Sequence, residues 1–202
     1  PLRSQGAIVP AYLDLVFTID NFFTPGECEA LIAACEAAGF AHAFHRAGTG
    51  YAHRDNGRLQ LDSEAIADVV YRRLHPHLPT IVAGLGGDAD PVACYSNIRL
   101  YRYEAGQSFG LHVDESCEAG PGFTEFTVLV YLNDRGVAGG STAFYTGEVG
   151  RKKKPRKVFE FPPRAGTCLV HGHGERCLLH EGARVTKGTK YLFRTDVVCR
   201  PR

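Results

Sequence analysis

The sequence predicts a mainly β domain: a sandwich or barrel of seven or eight short strands, with two helices packed on one side. Three observations carry that expectation. Gly and Pro number 23 and 11 in 202 residues, about one residue in six, more than a helical bundle uses. After about residue 90, apolar residues come in short runs of Val, Leu, Phe, Tyr and Thr, punctuated by Gly, Pro, Asn and Asp, as strands and their turns do. Ahead of those runs lie two stretches with helical periodicity.

Residues 15–19 (Leu-Val-Phe-Thr-Ile) read as a strand. Thr24-Pro25-Gly26-Glu27 then opens a helix, with Thr24 and Glu27 placed to cap each other's amides and Pro25 at the first helical position. Cys28, Leu31, Ile32 and Cys35 form one apolar stripe, and Gly39 ends the helix. A second helix starts near Asp62 or Ser63 and sets Ile66, Val69, Val70 and Leu74 on one face. Arg72 and Arg73 stand in its last turn, and Pro76 stops it. Strands follow near 95–103, 124–132, 141–145, 157–161, 167–171, 177–180 and 189–198. With no internal repeat and no linker, residues 1–202 read as one domain, a helical support over 1–90 and a β core over 91–202.

The composition is 44% hydrophobic and 22% charged, enough for one substantial core and short for two. No apolar run approaches the ~20 residues of a membrane span, and no signal peptide opens the chain. It begins at Pro1 and contains no Met, the mark of a trimmed piece. Seven cysteines without a C-x-x-C pair read as reduced thiols in a cytosol-like compartment. The run Arg151-Lys-Lys-Lys154-Pro-Arg156-Lys157 holds six of the 23 basic residues, against 22 acidic. It reads as a solvated hairpin loop on a mildly acidic body, with an anionic-partner patch or a nuclear localisation signal as the sharper alternatives.

Chemistry concentrates in Tyr103-Glu-Ala-Gly-Gln-Ser-Phe-Gly-Leu-His112-Val-Asp114. His112 and Asp114, two apart on a strand, point to the same face. One imidazole and one carboxylate take two adjacent positions on a metal. A third ligand completes a two-His-one-carboxylate set with three open positions, which suits Fe(II) binding a chelating cosubstrate and O2 together. The candidates for it are His171, His173 and His180. The first two lie among glycines, whereas His180 ends an apolar run and precedes Glu181-Gly182. Ten residues after His180 stands Lys190, in Lys187-Gly-Thr-Lys190-Tyr-Leu-Phe-Arg194.

In this order and spacing the chain resembles the Fe(II)/2-oxoglutarate-dependent dioxygenases, and within them the prolyl 4-hydroxylase-like group. The matching residues are His112-Val-Asp114, His180 and Lys190. Around them stand Tyr103-x-x-Gly106, Thr127-Val-Leu-Val-Tyr131-Leu-Asn133, Gly139-Gly-Ser-Thr-Ala-Phe144, Pro163-Arg-Ala-Gly166 and His180-x-Gly182. The match runs from about residue 94 to 198, roughly half the chain. The resemblance implies a double-stranded β-helix (a cupin-like jelly roll) with N-terminal helices packed on the major sheet. It implies that His112, Asp114 and His180 hold iron, and that Lys190 pairs with the distal carboxylate of 2-oxoglutarate. Tyr103 and Thr127 would hydrogen-bond that carboxylate, with Tyr131 close by. It further implies O2 as cosubstrate, ascorbate as reductant, and hydroxylation of an unactivated C–H bond with release of succinate and CO2. Where the family's glycine-rich turn usually carries Glu, this chain has Ser141, a departure in the turn and not in the ligands. Asp114, filling the place a halide would need, argues for hydroxylation over halogenation. The residue chemistry agrees: a buried lysine needs a counter-ion, and Tyr and Thr hydroxyls satisfy a carboxylate's remaining lone pairs.

Each site residue also has an ordinary reading. Taken alone, His112 and Asp114 are a surface histidine and a turn aspartate, and His171 and His173 read as loop residues. The neighbours Tyr191, Leu192 and Phe193 favour a buried strand around Lys190. Alternation puts Arg99 and Tyr101 on the face of Tyr103, and Arg194 on that of Lys190. These arginines either pair internally with Asp196 or Glu125 or hold an anionic substrate group, and the second is favoured slightly because the strand edge would expose Asp196. Asn56 and Arg58 fall in a loop between the helices, at the mouth of the site. The family default for the substrate is a peptidyl residue such as proline. A free amino acid or small carboxylate metabolite is the alternative. A nucleobase rests only on the basic run, with which no aromatic residues interleave. Outside enzymology, the rival is a non-catalytic cupin-like metal-binding or sensing domain. The expected location is the cytoplasm, with the nucleus as the alternative.

Overall fold

The computed structural model describes residues 6, 8–48, 52–85, 87–147 and 154–201. Strands β1 (Ile8–Tyr12) and β2 (Val16–Ile19) lead into helix α1 (Pro25–Ala38). Strands β3 (Ala41–His45) and β4 (Arg54–Asp62) precede helices α2 (Glu64–Leu74) and α3 (Leu78–Gly84). Then come β5 (Pro91–Cys94), β6 (Asn97–Glu104), β7 (Ser108–His112), β8 (Glu118–Ala119), β9 (Gly122–Tyr131) and β10 (Ala138–Gly139). The last are β11 (Thr142–Thr146), β12 (Arg156–Phe161), β13 (Cys168–Gly172), β14 (Leu179–Gly182), β15 (Val185–Lys187) and β16 (Thr189–Cys199).

Helix α1 starts where the capping residues stand. The Glu27 amide donates to Thr24 Oγ1 at 3.2 Å, and the Thr24 amide donates to the Glu27 carboxylate at 2.8 Å. Ser63 caps α2 in the same way through the Ile66 amide. Pro76 does not end the helical region. A 3-10 turn at His75–His77 carries the chain into α3, because a proline in a first turn removes no hydrogen bond that would otherwise form.

The described strands form one long sheet along the path β1-β2-β13-β9-β16-β6-β4-β7-β14-β11-β12, with β10 and β15 paired separately. Strand β4 bridges its two halves. It pairs with β6 from Gly57 to Asp62 and with β7 at Arg54 and Asp55. The sheet thereby folds over on itself into a jelly roll, with a major half from β2 to β6 and a minor half of β7, β14, β11 and β12. Register then decides what faces the interior. Lys190 pairs with Tyr103, Leu192 with Tyr101 and Tyr131, Arg194 with Arg99 and Leu129, and Asp196 with Thr127. All of these share the inner face, because directly opposed residues point the same way. The intervening Phe193 and Val197 face outward, where Phe126, Val128, Val130, Cys168 and Val170 meet Cys28, Cys35, Ala67, Val70 and Leu74 of the helices. The helices thus pack on the outside of the major half, as expected.

Three expectations change. The first 90 residues are not a purely helical support, since they contribute β1 to β4. Asn56 and Arg58 lie in the nine-residue strand β4 and not in a loop. The Asp55-Asn56-Gly57 triplet imitates a turn, but Gly57 serves close packing: a Cβ there would meet Phe40 Cβ at 3.0 Å and Arg102 Cβ at 3.3 Å. His171 belongs to β13, and both it and His173 are buried, not exposed on a loop. The basic run joins the antiparallel pair β11 and β12, which agrees with a hairpin, although residues 151–153 lie outside the described set. No helix among the described residues is long and apolar enough to cross a membrane. All seven cysteines are free.

Candidate active site

His112 ends β7, Asp114 follows one residue beyond it, and His180 lies in β14, paired with His112 across the minor half. One ligand atom from each of the three falls within 4.8 Å of the others. His112 Nε2 lies 3.8 Å from Asp114 Oδ1, and His180 Nε2 lies 3.7 Å from Oδ2. Backbone carbonyls fix both tautomers, since a carbonyl only accepts. His112 Nδ1 donates to Gly110 O at 2.8 Å, and His180 Nδ1 to Leu178 O at 2.9 Å. Each ring therefore turns an Nε2 lone pair toward the carboxylate, the orientation that metal-binding histidines require. Burial, with help from His180, pushes His112 down to about 3, and burial lowers His180 as well, so both rings are neutral donors. Burial alone would raise the Asp114 carboxyl, but the Arg194 guanidinium holds it well below the usual range. Two neutral imidazoles and one ionised carboxylate converging in a buried cavity fit a divalent ion of the Fe(II) type.

A charged network stands behind the carboxylate. Arg194 holds Asp114 with both terminal nitrogens, at 3.0 and 3.1 Å, and reaches Asp196 at 3.2 Å. Arg99 pairs with Asp196 from the other side. The two arginines therefore point inward, as alternation requires, and each finds a protein acid, Arg99 through one terminal nitrogen only, its buried Nε having no hydrogen-bond partner among the described residues. The slight preference for a substrate anion on Arg99 and Arg194 is corrected: Asp196, expected at an exposed strand edge, is buried and takes both. Thr127 also differs from expectation. Its hydroxyl donates to Asp114 Oδ2 at 2.7 Å and lies 2.8 Å from His173 Nε2. Register explains the change. Thr127 sits opposite Asp196 at the metal end, four residues along β9 from Tyr131. His173 uses its other nitrogen on Thr124 O at 3.1 Å.

The far end of the cavity belongs to Lys190. It is 1% exposed, its ammonium donates to Gly140 O, and it lies 5.4 and 5.5 Å from the ring centres of Tyr103 and Tyr131. Among the described residues no carboxylate pairs with it. Burial lowers it to about 7. Tyr131 donates to Thr142 Oγ1 at 2.7 Å. Gly140 has φ +71, and a Cβ on it would press on Val185 at 3.0 Å and on Lys190 Cδ at 3.1 Å, so the turn seats the lysine stem.

Between the two ends the cavity is lined by Tyr101, Phe109, Leu129, Gly182 and Leu192. The Phe109 ring stacks on His112 with centres 3.7 Å apart, and the Arg54 guanidinium covers its other side at 4.1 Å. Arg54, Asn56 and Arg58 share one face of β4, the face opposed to Phe109 and Tyr101. Arg58 donates to Gln60 at 2.7 Å. Asn56 is fully buried, and its Oδ1 has no hydrogen-bond partner among the described residues. Arg54, Phe109 and Cys177, whose Sγ accepts from the Asp114 amide at 3.2 Å, escaped the sequence reading as parts of the site, which weighed His171 as a ligand but read it as a loop residue. Strand alternation from Leu169 would have placed His171 on the inner face.

A sequence profile of the 2OG-Fe(II) oxygenase superfamily matches residues 98–195. No curated protein matches the chain. Among solved structures, the viral collagen prolyl hydroxylase vCPH from Paramecium Bursaria Chlorella virus-1, in truncated form, is 19% identical with a TM-score of 0.62. The match covers 97% of this chain and 96% of that one. The alpha ketoglutarate dependent epimerase SnoN from nogalamycin biosynthesis is 19% identical with a TM-score of 0.61, covering 94% and 80%. A prolyl hydroxylase from Trichoplax adhaerens, bound to a hypoxia inducible factor peptide fragment, is 16% identical with a TM-score of 0.60, covering 92% and 84%. At these identities the likeness is one of fold.

Proposed function

The chain belongs to the 2OG-Fe(II) oxygenase superfamily, and from that premise we propose that it is a hydroxylase of an unactivated C–H bond in a peptidyl residue such as proline. The observation that carries the reading is Lys190. A buried ammonium without a carboxylate partner, at the opposite end of one cavity from a two-His-one-Asp cluster, fits a cosubstrate that chelates a metal at one end and carries an acid at the other. Fe(II) with 2-oxoglutarate and O2 supplies an oxidant that takes a hydrogen atom from carbon and returns hydroxyl, leaving succinate and CO2.

The chain's own residues do the rest. His112, Asp114 and His180 hold the ion. Thr127 and Arg194 fix the Asp114 carboxylate and keep it ionised. Lys190 orients the diacid, with the Tyr103 and Tyr131 rings beside it. Leu129, Leu192 and Phe109 exclude water between the two ends. With Arg99 and Arg194 both paired to protein acids, the interior has little unbalanced positive charge near the metal end, which favours a neutral substrate. Two of the solved structures of similar fold are described as prolyl hydroxylases, which supports the peptidyl reading. A free amino acid or small carboxylate is the second reading, favoured by Arg54 and Arg58, which lie opposite the cavity residues Phe109 and Tyr101 and have no acid partner among the described residues.

The test is succinate release under Fe(II), ascorbate and O2 with panels of peptides, amino acids and oligonucleotides, each product checked by mass for one added oxygen. Coupled release with a proline-containing peptide is the expected result. Release with a free amino acid replaces it by the second reading. Stoichiometric metal binding without succinate from any substrate makes the domain a non-catalytic metal-binding module.

A further inference from the structure

Behind the Asp114 carboxylate, one hydroxyl has three short contacts. Thr127 Oγ1 lies 2.7 Å from Asp114 Oδ2, 2.8 Å from His173 Nε2 and 3.1 Å from Arg194 Nη2. Asp196 Oδ1, at 3.5 Å, is a more distant neighbour. A hydroxyl has one proton to give and two lone pairs on which to receive. Arginine only donates, so Arg194 takes one lone pair. The ionised Asp114 carboxylate only accepts, so its 2.7 Å contact consumes the Thr127 proton. The contact with His173 is then a hydrogen bond only if Nε2 brings a proton of its own.

The other ring nitrogen also donates. His173 Nδ1 lies 3.1 Å from Thr124 O, and a carbonyl only accepts. Donation from both nitrogens is the property of the imidazolium. The residue is 4% exposed, so its charge needs an acid nearby. Asp196 supplies one, with Oδ1 3.6 Å from His173 Nε2. The same carboxylate meets Arg194 at 3.2 Å and Arg99 from its other side. The cluster behind the metal ligands thus sets Arg99, Arg194 and His173 against Asp114 and Asp196, with one positive charge in excess.

We propose that His173 is a positioning residue of the metal centre: its Nε2–H locks Thr127 so that the hydroxyl proton stays on Asp114, and its charge makes Asp114 a weaker donor to the ion. The inference rests on the metal reading of His112, Asp114 and His180. A carboxylate that already accepts from a hydroxyl and an arginine, with a further cation behind them, has less electron density to give a metal. Excess positive charge at this range also disfavours any rise in the charge of the ion, so the centre favours the divalent state.

The test reads the ring directly. In isotope-labelled protein loaded with Zn(II), with His173 assigned through its backbone, proton–nitrogen correlation spectra should show both ring nitrogens protonated at neutral pH. One unprotonated ring nitrogen would overturn the inference. Metal affinity then separates charge from packing. His173→Gln keeps an N–H for Thr127 but carries no charge. It should bind Co(II) at least about 10-fold more tightly than the wild type, as removal of a unit charge from the surroundings of a divalent ion requires. His173→Leu, which also frees the Thr127 hydroxyl to turn, should bind Co(II) more weakly than His173→Gln does. Equal or weaker binding in His173→Gln than in the wild type would make the histidine a packing residue and overturn the inference, leaving the three-residue site standing. Absence of stoichiometric Zn(II) and Co(II) binding by the wild type would overturn the site and the inference together. The wild-type spectrum decides the proton count even if neither variant folds.

Discussion

Strand β16 is buried on both sides, and its two sides are held by different forces. Outward, Phe193 and Val197 pack in an apolar layer against α1 and α2; Phe193 meets the Phe23 ring edge-on at 5.4 Å. Inward, Lys190, Arg194 and Asp196 alternate with the outward residues and share their face with Leu192. The outer layer depends on volume and tolerates a change of chemistry-free shape. The inner one depends on charge, so each group needs its opposite partner. One strand thus carries the scaffold and the chemistry on alternate residues.

The contrast breaks first at Asp196. Asp196→Asn keeps the shape but leaves Arg99 without its acid and Arg194 with one fewer, and should cost ~3–5 kcal/mol of stability by chemical denaturation. A loss below about 1 kcal/mol would mean that the inner side is not governed by charge.

Lys190 sharpens the contrast through pH. Burial lowers it from 10.5 to about 7. Between those values the unfolded chain holds a proton that the folded protein has released. Stability without 2-oxoglutarate should therefore rise with pH through this window, by up to about 1.4 kcal/mol per unit. Lys190→Met should abolish the slope and be the more stable protein at pH 7. It should also bind 2-oxoglutarate at least about 100-fold more weakly in calorimetric titration. Unchanged binding would remove the lysine from the cosubstrate site.

On the outer side, Phe193→Leu should cost about 1–2 kcal/mol in the same denaturation experiment, as a partial large-to-small core change does. It should also leave 2-oxoglutarate affinity unchanged. The smallest effect is expected outside both layers. Arg156→Ser with Lys157→Ser, on exposed positions of the basic run, should shift stability by no more than about 0.5 kcal/mol. The pair should leave succinate release with a small substrate intact.

What could be read from the sequence follows the same division. Strand parity, a local property, put His112 and Asp114 on one face and turned Arg99 and Arg194 inward, whereas His180 and Lys190 were singled out by the order and spacing of the family resemblance. The partners of those arginines were not, since they depend on how deeply Asp196 is covered, a property of the whole sheet. Thr127 was displaced from its expected role because register, not residue type, sets its depth along the cavity. Strand β4 was hidden by Asp55, Asn56 and Gly57, whose turn chemistry gave way to the pairing that β6 and β7 supply. His171 was weighed as a ligand but read as a loop residue because of the glycines nearby, while its pairing with Thr127 spans 44 positions of chain.

The seat that Gly140 makes for Lys190 turns the cavity into a gauge. The ammonium is tethered by the Gly140 carbonyl of the turn before β11, and its stem is pressed by the same glycine, where a Cβ would meet it at 3.1 Å. Of the candidate ligands, His112 and His180 are held at the opposite end by the β7 and β14 pairing. Neither jaw has room to travel, so the diacid that fits is selected by its length. A four-carbon 2-oxodiacid should leave the ammonium unreached and a six-carbon one should buckle, with the discrimination residing in the Gly139-Gly140 turn as much as in the lysine itself.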